Sequence, residues 1–331
     1  MRASRLTTAL AGALPPLPGN GRVAVFHPPA GQDISALPCE RVQIIHGIFP
    51  EHRAWAGRGY DTVVREQGRY AAAVVFLPRA GALARALVAR AAAATGGGPV
   101  IIDGQKTDGV DSLLKACRRA GATVEGVVSR AHGRTFAISG GEFSAWSGPE
   151  ETRIEGEFVT APGVFSADGV DPGSALLAEA LPPLSGRLCD LGAGWGWLAH
   201  RILGSEQPDE CHLVEIDHAA LECARRNITD WRARFHWIDA ESFAAREAGG
   251  FDHVVTNPPF HLGRVADPGI GRGFIRAAAR LLKRRGVLWL VANRHLPYER
   301  ELDAAFREVS QLAGSASFKL FRARAPRPVQ R

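Results

Sequence analysis

The chain has 331 residues, a length that suggests about two domains, and its 46% hydrophobic and 22% charged residues suit a soluble globular protein with sizeable cores. A formal net charge of +6 favours polyanionic partners, RNA or DNA in particular. The five cysteines, Cys39, Cys117, Cys189, Cys211 and Cys223, are dispersed without a C-x-x-C pair, which argues against a disulfide framework and a zinc site and predicts reduced thiols in a cytoplasmic protein.

The start, Met1-Arg2-Ala3-Ser4-Arg5-Leu6, is basic and then apolar, but Pro15, Pro16 and Pro18 interrupt the run and it is too short to span a bilayer. Short apolar runs at 22–26, 42–45, 71–76 and 100–102 predict strands, with helices at 80–94 and 111–120. Arg85 and Arg90 make the first of these helices amphipathic rather than membrane-spanning. Residues 124–129 and 134–139 predict an antiparallel pair around His132-Gly133. The polar passage Ser147-Gly148-Pro149-Glu150-Glu151-Thr152 predicts a linker, dividing the chain into 1–150 and 151–331.

The second half restarts the pattern. Strands are predicted at 188–191, 212–216, 235–238, 251–255 and 287–291, and helices at 197–203, 219–227 and 275–284. Strand–helix alternation predicts two doubly wound α/β sheets, and its repetition suggests an internal duplication. The basic tail Arg322-Ala323-Arg324-Ala325-Pro326-Arg327 is expected to be a disordered arm or a solubilising end.

Chemistry concentrates at the predicted strand ends. Asp190-Leu191 runs into Gly192-Ala193-Gly194-Trp195-Gly196, a turn that lets backbone approach a ligand closely beside a helix start. Its G-x-G-x-G spacing departs from the dinucleotide fingerprint G-x-G-x-x-G and disfavours a nicotinamide enzyme. About twenty residues on, Glu215 ends the next strand, where a carboxylate can accept hydrogen bonds from both ribose hydroxyls; Asp217 could instead cap the following helix. Asp239 ends the third strand, where it could accept from an adenine amino group. The fourth ends in Asn257-Pro258-Pro259-Phe260, whose prolines force the chain out of the sheet as a stiff turn. Glycine turn, acid, acid and NPPF at successive strand ends would build one cleft.

These residues resemble the class I methyltransferases that use S-adenosylmethionine. Asp190, Gly192, Gly194 and Gly196 are similar to their cofactor loop, Glu215 to their ribose acid and Asp239 to their adenine-contacting acid, with Asn257 shared between cofactor and substrate. The tetrapeptide is similar to the N/D-P-P-F/Y/W signature of enzymes that methylate planar nitrogen groups. A closer resemblance, to the bacterial ribosomal RNA guanine-N2 methyltransferases of the RsmC/RlmG type, rests on three further stretches. They are Gly163-Val164-Phe165-Ser166 with Gly169, Asp171, Gly173 and Ser174; Asn257 to His261; and Val291-Ala292-Asn293-Arg294-His295-Leu296-Pro297-Tyr298. In the first half the resemblance is looser, mainly Gly104-Gln105-Lys106-Thr107-Asp108-Gly109-Val110. Leu262, where an acidic residue is common, and the Gly/Arg-rich segment 264–272 depart from the pattern and bear on which nucleotide is the target.

The resemblance implies two tandem Rossmann-like methyltransferase folds, the first degenerate and serving recognition or structure, the second catalytic. It implies methyl transfer from S-adenosyl-L-methionine to the N2 amino group of a guanine in ribosomal RNA, with 16S rRNA of the small subunit as the target. Asn257 and the Pro258 carbonyl would accept hydrogen bonds from the amine and Phe260 would stack on the base, so that positioning carries much of the rate. Pro259, His261, Arg264 and Arg272 would contact substrate, His261 by packing or hydrogen bonding, and Arg276, Lys283, Arg284 and Arg285 would add basic surface downstream of the pocket. A monomer without metal or membrane partners is expected. The rival readings are an amino methyltransferase acting on DNA adenine or protein glutamine, and a non-catalytic RNA-binding or ribosome-assembly factor.

Overall fold

The computed structural model describes residues 4–148, 152–154, 157–259 and 269–328, with the backbone alone of 261–262, 265–266 and 268. The chain divides into two compact units, Met1–Glu151 and Thr152–Arg331. The first unit runs α1 (Arg5–Leu10), β1 (Val23–Phe26), β2 (Val42–Ile45), α2 (Phe49–Gly57), β3 (Asp61–Val63), β4 (Ala72–Phe76), α3 (Gly81–Thr95), β5 (Val100–Gln105), α4 (Val110–Arg119), β6 (Thr123–Arg130) and β7 (Gly133–Ser139). Its sheet has the order β3-β2-β1-β4-β5-β7-β6, parallel as far as β5, with β7 antiparallel to both neighbours. Runs such as Val23-Ala24-Val25-Phe26 and Ala72-Ala73-Val74-Val75-Phe76 are buried throughout, as strands covered on both faces must be. Ala24 and Phe26 pack with α3 and α4, while Val23 and Val25 pack with Leu6 of α1 and Trp55 of α2 on the other face.

A buried ion pair fastens α1 to this sheet. Arg5 Nε donates to Asp103 Oδ2 at 2.9 Å and a terminal nitrogen to Oδ1 at 2.6 Å, while its other terminal nitrogen donates to the Arg130 carbonyl at 3.0 Å. The Thr135 hydroxyl also donates to Asp103, so the carboxylate is satisfied on every side.

The second unit begins with the hairpin β8 (Thr152–Ile154) and β9 (Phe158–Thr160), followed by α5 (Pro172–Ala180), β10 (Gly186–Leu191), α6 (Trp197–Leu203), β11 (Pro208–Glu215), α7 (His218–Asn227), β12 (Ala233–Trp237) and α8 (Ala240–Arg246). It continues with β13 (Phe251–Thr256), the short hairpin β14 (His261–Leu262) and β15 (Val265–Ala266), α9 (Pro268–Leu281), β16 (Leu282–Asn293), α10 (Glu299–Ala305), β17 (Phe306–Leu312) and β18 (Phe318–Pro326). The order β12-β11-β10-β13-β16-β18-β17 repeats the first sheet strand for strand, again with the seventh strand antiparallel between fifth and sixth. Both halves therefore have the doubly wound fold expected of them. The duplication also becomes visible in residues: β4 ends Val74-Val75-Phe76-Leu77-Pro78 and its counterpart β13 ends Val254-Val255-Thr256-Asn257-Pro258.

Two expectations about basic segments are corrected. Residues 322–327 are no free arm: Arg322, Ala323 and Arg324 lie in β18, paired with β16 on one side and β17 on the other. Alternation of buried Phe321 and Ala323 with half-buried Arg322 and exposed Arg324 disguises this strand as a basic tail. Residues 282–284 are strand rather than helix, and Lys283, Arg284 and Arg285 open β16. That is the amino-terminal edge, since Leu282 pairs beside Phe251 while Leu290 pairs beside Thr256. They therefore stand roughly 20 Å of strand away from Asn257.

Arg5→Ala is expected to lower the unfolding free energy in urea by about 3–5 kcal/mol, because it leaves the Asp103 carboxylate buried without its partner. Replacing both residues with apolar ones should cost less than the single change.

Candidate active site

At the carboxyl edge of the second sheet the strand ends are level. Asp190 pairs beside Val255, so Gly192 and Asn257 each come two residues further along neighbouring strands. The Thr256 hydroxyl donates to the Leu191 carbonyl at 2.7 Å and fixes that juxtaposition with both groups buried. Glu215 ends β11 opposite Trp237 of β12, and Asp239 follows two residues later.

The turn after β10 is shaped by its glycines and by one carboxylate. Gly192 and Gly194 have φ of +81° and +55°, which L side chains adopt only with strain. A methyl group on Gly192 would press on the Phe274 ring at 2.9 Å, whereas one on Gly194 would meet nothing within 4 Å, only the space of the cleft. Glu215 Oε2 accepts from the Gly194 N–H at 2.8 Å, and Oε1 accepts from Ile216 and Asp217 at 2.8 and 2.9 Å. Asn227 adds a second brace, its amide exchanging hydrogen bonds with the Val159 backbone and donating to the Trp195 carbonyl at 2.9 Å. The buried Trp195 indole then donates to the Phe165 carbonyl at 3.1 Å, holding the loop before α5 over the turn.

The resulting cleft, open to solvent, is lined by the glycine turn, Phe165, Asp171, Ser174, Asp190 and Asn257, with Trp197 and Leu198 behind. Asn257 Nδ2 donates to Asp171 Oδ2 at 2.7 Å and to Ser174 Oγ at 3.0 Å. Pro258 is buried and Pro259 exposed, which gives the turn a fixed base and a solvent-facing rim.

Acids dominate the electrostatics. Burial pushes the Asp190 carboxyl up to about 7, with the Glu215 charge adding to the effect and the hydrogen bond from the Ala199 N–H opposing it. Burial also raises Glu215 against its three backbone donors, and raises Asp217 to about 7 with the help of Glu215. Such a cluster of carboxylates, Asp190 buried and Glu215 and Asp217 half-buried, suits a cationic ligand. Among the described residues no group of three histidine, cysteine or acidic side chains gathers to hold a metal.

Asp190, Gly192, Gly194 and Asn257 thus share one cleft, with Glu215 bound to its floor. Gly196 faces elsewhere: its Cβ would meet Ile228 and Ala224, so it seats α6 against α7. Asp239 caps α8 by accepting from the Ser242 N–H at 2.8 Å, and Asp217 caps α7 through Ala219 at 2.9 Å. Arg272 is exposed on α9, the helix that brings Phe274 against Gly192. Phe260, Arg264 and the His261 side chain lie outside the described residues. Sequence reasoning did not assign site roles to Asp171, Ser174, Phe165 or Trp195; the signal available for the first pair was Asp171-Pro172, an N-cap followed by proline at the first helical position.

A level edge carrying a glycine turn, an acid that braces it and an N-P-P turn, on a sheet of this order, is the arrangement of a class I methyltransferase. Residues 155–322 match the family model of the methyltransferase small domain. A ribosomal RNA small subunit methyltransferase C of Shewanella baltica is 30% identical over 268 residues, covering 77% of this chain and 76% of that protein. One from another Shewanella is 28% identical over 302 residues, covering 88% and 87%. Among solved structures, the T. thermophilus 16S rRNA N2 G1207 methyltransferase (RsmC) in complex with AdoMet and guanosine is 27% identical, with a TM-score of 0.78 over 98% of this chain and 92% of that one. The chain belongs to the methyltransferase small domain family, within the RsmC-like class I S-adenosylmethionine-dependent methyltransferases.

Gly194→Ala is expected to cost only the strain of one left-handed alanine, about 1–2 kcal/mol, yet to weaken cofactor binding in titration calorimetry by filling the cleft. Gly196→Ala, whose methyl would press on Ile228 and Ala224, should cost more in melting temperature. Unchanged cofactor affinity in the Gly194 variant would mean that this glycine faces no ligand.

Proposed function

We propose that the chain methylates the exocyclic N2 amino group of a guanine in 16S rRNA, using S-adenosylmethionine, and that the guanine is the counterpart of the one named for the T. thermophilus relative. The observation that carries this reading is Asn257, held at the lip of an acid-lined cleft with its amide nitrogen engaged by Asp171 and Ser174, which turns the amide oxygen toward an incoming donor. When bound, the cofactor supplies a methyl group activated by sulfonium charge.

The residues present fit that cofactor: open space over Gly194 for its body, Glu215 and Asp239 at successive strand ends for its hydroxyl and amino groups, and buried acids for its positive charge. Asn257 Oδ1 and the Pro258 carbonyl accept hydrogen bonds from the guanine amine. Its nitrogen lone pair is then drawn out of conjugation with the ring and aimed across the cleft, and the base is held at a fixed distance by the N-P-P-F turn. The amine proton becomes acidic as the nitrogen gains its methyl group and leaves to solvent, so no strong general base is required. A guanine inside a helix could not enter such a cleft, so the target is unpaired or flipped out, with Arg272 and its neighbours contacting phosphate.

The first unit serves as a recognition or structural module, because its own strand ends are closed. His27, Pro28 and Pro29 stand where β10 is followed by glycines, the His27 and His46 rings stack 4.5 Å apart, and Leu77 replaces the amide. Four buried free thiols suit a reducing cytoplasm. Among the described residues no helix is long and apolar enough to cross a membrane, and a cleft built within one unit of one chain suits a monomer.

Asn257→Ala should abolish labelled methyl transfer to small ribosomal subunits that lack the modification, while AdoMet affinity stays near that of the parent. Turnover that survives the substitution, or label appearing on protein or DNA instead, would overturn the reading. A pH dependence follows as well. Asp190 is neutral below about 7 and anionic above it, and the anion holds a cation better. AdoMet affinity should therefore rise as pH increases through about 7, and rise less for Asp190→Asn or for S-adenosylhomocysteine, which lacks the sulfonium charge.

A further inference from the structure

We infer that Asp171, assisted by Ser174, is the positioning residue that decides which end of the Asn257 amide meets the substrate amine. This deepens the proposed function and rests on its assignment of Asn257 as the amine acceptor. An asparagine side chain is nearly symmetric in shape but opposite in chemistry at its two ends, an oxygen that accepts and a nitrogen that donates. A substrate amine needs the oxygen. Turned the other way, the amide would set its own N–H bonds against those of the amine, and the tetrahedral nitrogen required for transfer would lose an acceptor.

The structure supplies the reference that breaks this symmetry. Asp171 Oδ2 lies 2.7 Å from Asn257 Nδ2, and Ser174 Oγ lies 3.0 Å from the same nitrogen, so acceptors flank the donor end. The carboxylate does not wander, because the same Oδ2 accepts the Ser174 backbone N–H at 2.7 Å as the N-cap of α5. Gly173 closes the arrangement: a methyl group there would come within 3.0 Å of both Asp171 Oδ2 and the Phe318 ring, so the carboxylate lies close against the helix start with little room beside it. α5 is in turn seated against β16 and α6. An ionised carboxylate only accepts, so it tolerates one amide orientation and rejects the other. Eighty-six residues of chain separate the two partners, yet both line the cleft that contains Asp190 and Gly194.

A helix cap that merely supports the fold would be served equally by any good capping residue. Serine caps well but is too short to reach Asn257, and asparagine both caps and reaches, since a single oxygen makes both contacts. Asp171→Ser should therefore lower kcat on small subunits lacking the modification about 100-fold, the scale expected of a misoriented reacting group, while AdoMet affinity by calorimetry and melting temperature stay near the parent. Asp171→Asn should recover most of kcat. The double-mutant cycle gives a second reading: in an Asn257→Asp background the side chain at 257 accepts at either end, so Asp171→Ser should no longer cost turnover. The inference is overturned if Asp171→Ser keeps the parent's kcat, or if it loses AdoMet affinity and melting temperature in step with kcat, or if it costs the same in both backgrounds. The assignment of Asn257 fails separately, by unaltered turnover of Asn257→Ala.

Discussion

Glu215 sits where a parallel sheet runs out of hydrogen-bond partners, and its carboxylate takes three backbone N–H groups, from Gly194, Ile216 and Asp217. The rest of the site depends on this contact. The loop after β10 carries glycines at positive φ and only Trp195 as a large side chain, so few contacts of its own select one shape among many. The carboxylate selects it by satisfying N–H groups that would otherwise be orphaned at the edge. The cost is a charge held in a dry place, visible in the raised pKa of Glu215 and in its effect on Asp190 and Asp217. A bound cation would offset that cost, which makes cofactor affinity and loop geometry two faces of one electrostatic arrangement.

The opposite wall is set by a different device. Thr256 ties the end of β13 to β10, and Asp171 and Ser174 reach Asn257 from the start of α5. The Asn257 side chain, which we propose meets the substrate amine, is thus fixed from behind through its nitrogen and from below through the backbone beside it. Rate enhancement by positioning demands such double fixing, because a methyl group transfers only over a short and directed path.

Much of this was legible in the sequence because burial writes itself into strands. Val254-Val255 and Leu188-Cys189 announce a covered sheet, and a glycine turn or a pair of prolines announces where each strand must stop. The α6 bounds, the hairpin of β6 and β7, and the meeting of the glycine turn with Asn257 at one sheet edge follow from such local signals, whereas Asp239 turns to cap α8. What remained hidden was nonlocal or disguised. The contact between Asp171 and Asn257 spans 86 residues and leaves no periodicity to read. Strand β18 looked like a basic arm because alanine and arginine carry weak strand preference, and its place between β16 and β17 comes from tertiary pairing. Helix α5 is short and its caps lie outside any amphipathic pattern.

The two halves of the chain separate what a fold provides from what a site requires. Both build the same seven-stranded order, and both bring Val-Val, two variable residues and a proline to the end of the fourth strand. In the first half the variable pair is Phe76-Leu77, and Leu77 is buried against Gly104, so the position that would hold an amine contributes to the core instead. The first strand there ends in His27-Pro28-Pro29 rather than glycines, and Trp55 donates to the Pro28 carbonyl at 2.9 Å across the place where a ligand would lie. Burial and its histidine neighbours hold His46 down to about 3, so this edge is closed by neutral, stacked rings rather than by acids awaiting a cation. Each difference puts packing in the first unit where the second carries a glycine or a polar side chain. One sheet order thus carries two different carboxyl edges, and in the proposed reading a handful of side chains there separates recognition from catalysis.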